Sequence, residues 1–380
     1  MKHLLGIAPI FVPLAALCAT GVPAPPHGVG RLTPTADMHD RRADHTATLL
    51  PDGRVLIAGG MVENGVFLSS AELYDPAQGA FAPAGAMASR RVGHTATLLR
   101  DGRVLIAGGL AGRLIEGGPG VVATTEIYDP ADGRFTAGPT MTARRTGHAA
   151  VRISNGRVLL AGGGDVDDDP LASAELYDPA TGRVVPTGRM SSARSMLAAA
   201  LLKDGRILVT GGVGEARRAL ASAEIYDPAT GVWRAVGSMT APREKHSAAT
   251  LADGRVLIVG GSADPGWHPV RTAELFDPRS GTFSAISDMD AARFKLPNAT
   301  AGLEDGNVLV AGGATEVEVY DAAAGRFRTV GSLDGPHFFA SATPLRDGTV
   351  LISGGYGRPD GRANGPLSTD RAWVYRPDGR

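Results

Sequence analysis

The sequence predicts an all-β fold: seven four-stranded sheets standing around one axis, with the first strand of the chain completing the last sheet. Three observations predict it. The segment GHTATLLRDGRVLIAGG (residues 93–109) has near-copies beginning at Asp44, Gly147, Met196, Lys245, Pro297 and Phe339. Each copy carries the turn and strand signals of an antiparallel sheet, and the two ends of the repeated region complement one another. Four antiparallel strands about every 50 residues is the signature of a β-propeller blade.

Taken in chain order, residues 1–19 read as a secretion signal. Lys2 and His3 give a basic start, and Leu4–Leu17 is an apolar run too short to span a bilayer, interrupted by Pro9 and Pro13. The run LAALC resembles a lipoprotein cleavage site, which makes Cys18 a lipidation candidate, although Leu17 directly before it fits that site poorly. The alternative is a soluble secreted form. The expected location is extracytoplasmic in a bacterium (secreted, periplasmic or anchored to the envelope), with membrane contact only through such an anchor. Residues 20–30 are a Pro/Gly-rich linker without a core of its own. Cys18 is the one cysteine, so no internal disulfide and no cysteine metal site is possible.

The propeller is expected over residues 31–376, with blades starting near 42, 91, 145, 194, 243, 295 and 337. Each blade has an Asp-Gly or Asn-Gly hairpin (Asp52-Gly53 through Asp347-Gly348), predicted as a two-residue turn with both residues at positive φ. A β-branched run then ends in Gly-Gly, beginning at Gly59, Gly108, Gly162, Gly211, Gly260, Gly312 and Gly354. AELYDP at 71–76 and its variants supply a third strand. Asp-Pro-x-x-Gly turns into a fourth strand opening on Phe81, Phe135, Trp233, Phe283 or Phe327, with Val184 in the third copy. The seventh copy reaches only its third strand, RAWVYRPDG, whereas residues 31–38 form a fourth strand with no blade before them. Leu32 stands six residues before Met38, as Phe81 does before Met87, so residues 31–38 are predicted to close the ring.

Aligning the copies on the hairpin places Arg42, Arg91, Arg145, Arg194, Arg243, Lys295 and His337 at one position before the innermost strand. A ring of cations at the channel mouth attracts anions and is the candidate ligand-binding ring. Glu72, Glu126, Glu175, Glu224, Glu274 and Glu318 recur on the third strands, and the blade lacking the Glu (Trp373) also lacks the Arg or Lys (His337). That joint loss predicts structural ion pairs instead. His45, His94, His148 and His246 share a position, with Leu197, Asn298 and Ala340 in the other copies. Spread over different blades, they are expected to bond neighbouring backbone rather than a metal. Among the variable loops, Asp165, Asp167 and Asp169 are a weak Ca²⁺ candidate, of no known calcium-loop spacing. Trp267, His268, Phe338, Tyr356 and Arg358 are candidate loop contacts.

The Gly-Gly pair followed by a spaced Tyr and Trp/Phe resembles the kelch-repeat family of β-propellers, over residues 31–376, with Phe usually in the Trp position. The propeller part is similar to that of galactose oxidase. The resemblance implies copper radical chemistry only where a Cys is crosslinked to a Tyr, and the mature ring here has no cysteine, so those catalytic residues are missing. Other members bind proteins or act on sialic acid. The resemblance therefore implies a binding module for a protein or an acidic or neutral carbohydrate, acting through the loops around the channel. The alternative is a periplasmic carbohydrate-active enzyme of the sialic-acid mutarotase or epimerase kind, for which Glu116, Asp167 and His268 stand in loops of unknown relative position. No catalytic residue is assigned, no cofactor is implied, and a monomer is expected. A net charge of −1 leaves no bulk electrostatic drive toward nucleic acid.

Overall fold

Each repeat folds into one antiparallel sheet whose strands follow chain order from the axis outward, so that neighbouring segments pair with neighbouring segments. The computed structural model describes residues 30–63, 66–112, 120–263, 268–357 and 367–378. Among these residues there are seven four-stranded sheets. Blade 1, for example, consists of Thr46–Leu49, Val55–Ala58, Ser70–Asp75 and Ala80–Ala86. Helical structure among the described residues is one 3₁₀ turn, Glu215–Arg217.

In the seventh blade the strands Ser341–Pro344, Val350–Ser353 and Ala372–Arg376 are joined on the outside by Arg31–Pro34. The pairing is antiparallel, with Leu32 opposite Tyr375 and Pro34 opposite Trp373. The innermost strands lie against one another in order, and that of blade 7 lies against that of blade 1. The ring is therefore shut by the strand expected to shut it.

Second strands such as Val55–Ala58, Ile207–Thr210 and Val256–Val259 are buried at every residue. They have a blade on either face, which is why they read as unbroken apolar runs rather than as alternating ones. Seven apolar clusters fill the seven gaps between blades. The one at the seam packs Val55, Ile57 and Tyr74 of blade 1 against Leu345 and Leu351 of blade 7. Each such side chain stabilises the ring by about 1.5–3 kcal/mol on burial. Third-strand rings meet fourth-strand rings at centroid distances of 4.8 Å (Tyr74–Phe81) to 5.0 Å (Tyr226–Trp233), so the repeated aromatic positions form the outer edge of the core.

The hairpins differ from expectation. Gly53 N–H donates to Leu50 O at 3.0 Å and Leu50 N–H to Arg54 O at 2.8 Å, and Gly53 has positive φ while Asp52 does not. This is a type I turn followed by a glycine bulge, one residue longer than the predicted loop. The aspartate selects it: Asp52 Oδ1 accepts the Arg54 amide at 3.0 Å, and the same bond recurs at Asp101, Asp204 and Asp253.

The Gly-Gly pair has a steric cause as well as a conformational one. Gly211 has φ +55°, and a Cβ there would meet Arg243 O and stand 2.8 Å from Cε1 of His246 in the next blade. Gly211→Ala is expected to cost about 1–3 kcal/mol or more, because the clash adds to the φ penalty. Urea unfolding against Gly205→Ala, which has positive φ but no neighbour within 4 Å, separates the two contributions.

Candidate functional site

The repeated arginines belong to the scaffold. Arg42, Arg91, Arg145, Arg194 and Arg243 are at most 1% exposed. In each, Nη1 donates to the carbonyl of the first glycine of the Gly-Gly pair, as Arg194 does to Gly211 O at 2.8 Å. Nη2 pairs with the third-strand glutamate of the same blade, at 2.6 Å for Arg42–Glu72 and 3.1 Å for Arg194–Glu224. The glutamates also cap the chain entering the blade: Glu175 accepts the amides of Thr142 at 2.6 Å and Ala143 at 3.2 Å. Burial pushes the Glu175 carboxyl up, but the Thr142 amide and Arg145 outweigh it and hold the group below its ordinary value.

The sixth member of this set is Arg293 and not Lys295, and blade 6 begins at 293. Arg293 donates to Gly312 O at 3.0 Å and pairs with Glu318 at 2.6 Å. Two additional residues form a turn at Pro297-Asn298, closed by Ala299 N–H to Leu296 O, and displace any alignment anchored on the hairpin downstream. Leu296, rather than Asn298, then matches the histidines. In blade 7, His337 replaces the arginine: Nδ1 lies 3.1 Å from Gly354 O, Nε2 lies 2.7 Å from Asp334, and the ring meets Trp373 edge-on at 4.8 Å. The arginine ring thus presents no row of open cations to the channel.

The histidines staple each blade to the one before. Nε2 of His148 lies 2.9 Å from Thr95 Oγ1, that of His246 lies 2.8 Å from Thr210 Oγ1, and that of His45 lies 3.1 Å from Ser353 Oγ across the seam. Their partners are hydroxyl side chains of the neighbouring blade, joined at His94 by the expected backbone group, that of Ala58. Burial holds His45, His94 and His246 down at about 3. In the blade 3 loop, Asp165 Oδ1 accepts the amides of Asp167 and Asp169, and Asp168 pairs with Arg217 of the next blade at 2.7 Å. Among the described residues no three His, Cys, Asp or Glu side chains come together as metal ligands, those of Asp165, Asp167 and Asp169 included. His268 is exposed. Cys18, Glu116, Trp267 and Arg358 lie outside the described residues.

Two residues after each scaffold position stands a ring that the repeat conceals: Asp44, Gly93, Gly147, Met196, Lys245, Lys295 and Phe339. All seven have positive φ, from 50° at Lys245 to 63° at Gly93. Backbone hydrogen bonds join most neighbouring members around the axis, including Met196 N–H to Gly147 O (2.9 Å), Phe339 N–H to Lys295 O (2.7 Å) and Asp44 N–H to Phe339 O (3.1 Å), while the bond to Lys245 O comes from Leu296 N–H (3.2 Å). Left-handed backbone at a non-glycine residue costs about 1–3 kcal/mol and persists where its surroundings enforce it. Here seven blades enforce it.

The ring is chemically lopsided. Blades 5, 6, 7 and 1 carry two lysines, a phenylalanine and an aspartate; blades 2 and 3 carry glycines. A cavity of ≈ 370 Å³ runs down the axis from this mouth, lined by Asp44, Met196, Lys245 and Phe339 and, deeper, by small residues of the innermost strands such as Ala96 and Ala199. Beside it, Lys295 Nζ sits among four rings, with centroids at 4.8 Å (Phe294), 5.1 Å (Tyr356), 5.7 Å (Phe339) and 5.9 Å (Phe338). It also donates a short hydrogen bond to Tyr356 Oη. Lys245 Nζ lies 3.7 Å from Glu244 and 5.9 Å from the Phe294 centroid. Burial pushes Asp44 up to about 7 against the pull of Lys245 and Lys295. Burial and the Lys245 charge bring Lys295 down to about 8, and burial lifts Tyr356 to about 12. Of the loop residues singled out from sequence, Phe338 and Tyr356 belong to this cluster.

The sequence profile of the Kelch motif matches residues 196–240 and 245–290. No curated protein matches the chain. Among solved structures, the fold is similar to that of a novel fungal alcohol oxidase with catalytic diversity among the AA5 family, in complex with copper. The identity is 17%, the TM-score 0.70, and the match covers 92% of this chain and 76% of that one, a likeness of fold alone. A copper ion does not fit this mouth: the histidines that line the cavity, His94 and His148, are bonded to Thr46 and Thr95, and among the described residues no three His, Cys, Asp or Glu side chains come together as ligands. A blade is built on every copy of the repeat and two copies match the Kelch motif, so the chain is a β-propeller that carries Kelch motifs.

Proposed function

We propose that this propeller is an extracytoplasmic binding module that takes an acidic ligand, a carbohydrate acid or an acidic side chain of a protein, at the channel mouth. One observation carries the proposal: the scaffold positions repeat almost without variation, whereas the left-handed ring differs from blade to blade and gathers its charge and aromatic surface on one side. A rigid frame with its variation concentrated at one opening is the usual arrangement of a recognition site. Lys245 and Lys295 supply the charge, Phe339 and Tyr356 supply flat apolar surface, and Gly93 and Gly147 leave room opposite. The leader at residues 1–19 supports a place outside the cytoplasm.

The test is calorimetric titration of the full chain with glucuronate and glucose. Lys245→Met is a structurally quiet variant, because Met196 already occupies the equivalent place in blade 4. It should weaken glucuronate binding about 10–100-fold, the loss of a hydrogen bond to a charged group. Equal affinity for both sugars, or an unaffected variant, would sink the proposal. A carbohydrate-active enzyme on the same face is a second reading, favoured by Asp44, which at about 7 exchanges its proton near neutral pH. Anomer exchange followed by NMR and unchanged by the protein would remove it.

A further inference from the structure

We propose that the ε-amine of Lys295 is a nucleophile that captures a carbonyl compound bearing a carboxylate, the carboxylate resting on Lys245. This deepens the reading of the mouth as an anion site and depends on it. A lysine becomes a nucleophile near neutral pH when it is desolvated or set beside another cation. Both conditions meet at Lys295. Four aromatic rings stand within 6 Å of Nζ, and Lys245 occupies the equivalent place on the adjacent blade. Two effects pull the other way: cation–π attraction, worth about 2 kcal/mol at a desolvated site, favours the ammonium, as do the charges of Asp44 and Glu244. The base of the side chain is fixed, since Lys295 is held at φ +60° by the bond from Phe339 N–H to its carbonyl.

The surroundings also supply the proton transfers. The groups facing Lys295 are Lys245 and Glu244 from blade 5, Asp44 from blade 1 and Tyr356 from blade 7. The neutral amine adds to the carbonyl carbon; the C–N bond forms, the C=O π bond opens, and the oxygen takes up the proton released from nitrogen. Tyr356, which keeps its proton throughout this range, is placed to donate a hydrogen bond to that oxygen. The hydroxyl then leaves as water with a proton from Asp44, the nitrogen lone pair closes the C=N bond, and the iminium so formed returns its N–H proton to the Asp44 carboxylate. The sum is one amine and one carbonyl giving one imine and one water, with nothing oxidised or reduced. The class of ligand is a small oxo acid, an aldehyde or ketone with an acidic group nearby.

The chain makes the test simple, because its lysines are Lys2, Lys203, Lys245 and Lys295. The full-length protein is treated briefly at pH 7 with glyoxylate and sodium cyanoborohydride, which reduces an imine to a stable carboxymethyl-amine, and the peptides are mapped by mass spectrometry. Exposed Lys203 is the internal control. Lys295 should label about tenfold faster or more, since a far larger share of an amine titrating near 8 is unprotonated than of an ordinary lysine. Its rate should rise through an inflection near pH 8. Tyr356→Phe should slow the labelling several-fold with melting unchanged, and Lys295→Arg should abolish it in that peptide alone. Labelling of Lys295 no faster than Lys203, or without the inflection, overturns the proposal. Calorimetry separates the two readings: glyoxylate that binds without being trapped removes the covalent step and leaves the anion site, whereas glyoxylate that neither binds nor labels removes both.

Discussion

Lowering the pH from 7 to 5 should destabilise the protein by about 2 kcal/mol for each of the three buried histidines held at about 3, on the order of 6 kcal/mol together, with His148 adding a loss of the same sign and Asp44, whose raised carboxyl takes up a proton in the same range, returning about 2 kcal/mol. The sign follows from the neutral form being the one that fits. His45, His94 and His246 are held at about 3, and His148 well below its usual value, all chiefly by burial. In the unfolded chain they take up protons as the pH passes 6.5, whereas in the folded chain His45, His94 and His246 do not until near 3. Their contribution is therefore complete above about 6.5 and is lost progressively as the pH falls. The carboxyls of Glu72 and Glu175, held below their ordinary values, add a loss of the same sign at lower pH. Urea unfolding at several pH values measures the slope. His246→Asn should reduce the loss between pH 7 and 5 by about 2 kcal/mol, and an unchanged slope would show that the staples are not what acid attacks.

Arg194→Met should cost about 3–5 kcal/mol, because it leaves Glu224 buried without its cation. Glu224 accepts the amides of Ser191 at 2.8 Å and Ser192 at 3.1 Å, so the carboxylate cannot swing out to solvent without giving up both. The exposed pair Arg206–Asp204 provides the contrast: its distance is 2.6 Å, yet Arg206→Met should cost only about 0–1 kcal/mol. The double variant Arg194→Met/Glu224→Leu should recover part of the loss, not all, since the two amides remain unmatched. Blade 7 shows that the position tolerates a coordinated change. There His337 reaches the same glycine carbonyl, Trp373 fills the place of the glutamate, and Asp334 is held by Arg371 at 2.8 Å. A single variant as stable as the double one would refute the account.

The scaffold was legible because the chain contains its own alignment. The joint loss of Arg and Glu in blade 7 predicted their pairing, and Leu32 before Met38 predicted the closing strand. The site was much less legible. The left-handed ring is occupied by Asp, Gly, Gly, Met, Lys, Lys and Phe, and no residue type signals it; what the positions share is a backbone conformation imposed by neighbouring blades. The turn at Pro297-Asn298 moved the apparent equivalence in blade 6 by two residues, which placed Lys295 among the scaffold cations and hid Arg293. Lys295 therefore looked like one member of a symmetrical set when it is the centre of the least symmetrical part of the molecule. The hairpins misled for another reason: Asp-Gly suits two kinds of turn, and the side-chain bond from aspartate to the amide two residues on decides between them.

The pairing of Thr33 with Val374 joins positions 341 residues apart. The strand Arg31–Pro34 therefore cannot meet its mate until the 341 residues that separate Thr33 from Val374 have been made. Until then Trp373 and Tyr375 have no outer cover, and six sheets wait as an unfinished arc whose terminal surfaces are sticky. One clasp, Arg31–Pro34 on Ala372–Arg376, therefore covers the edge that would otherwise stand open.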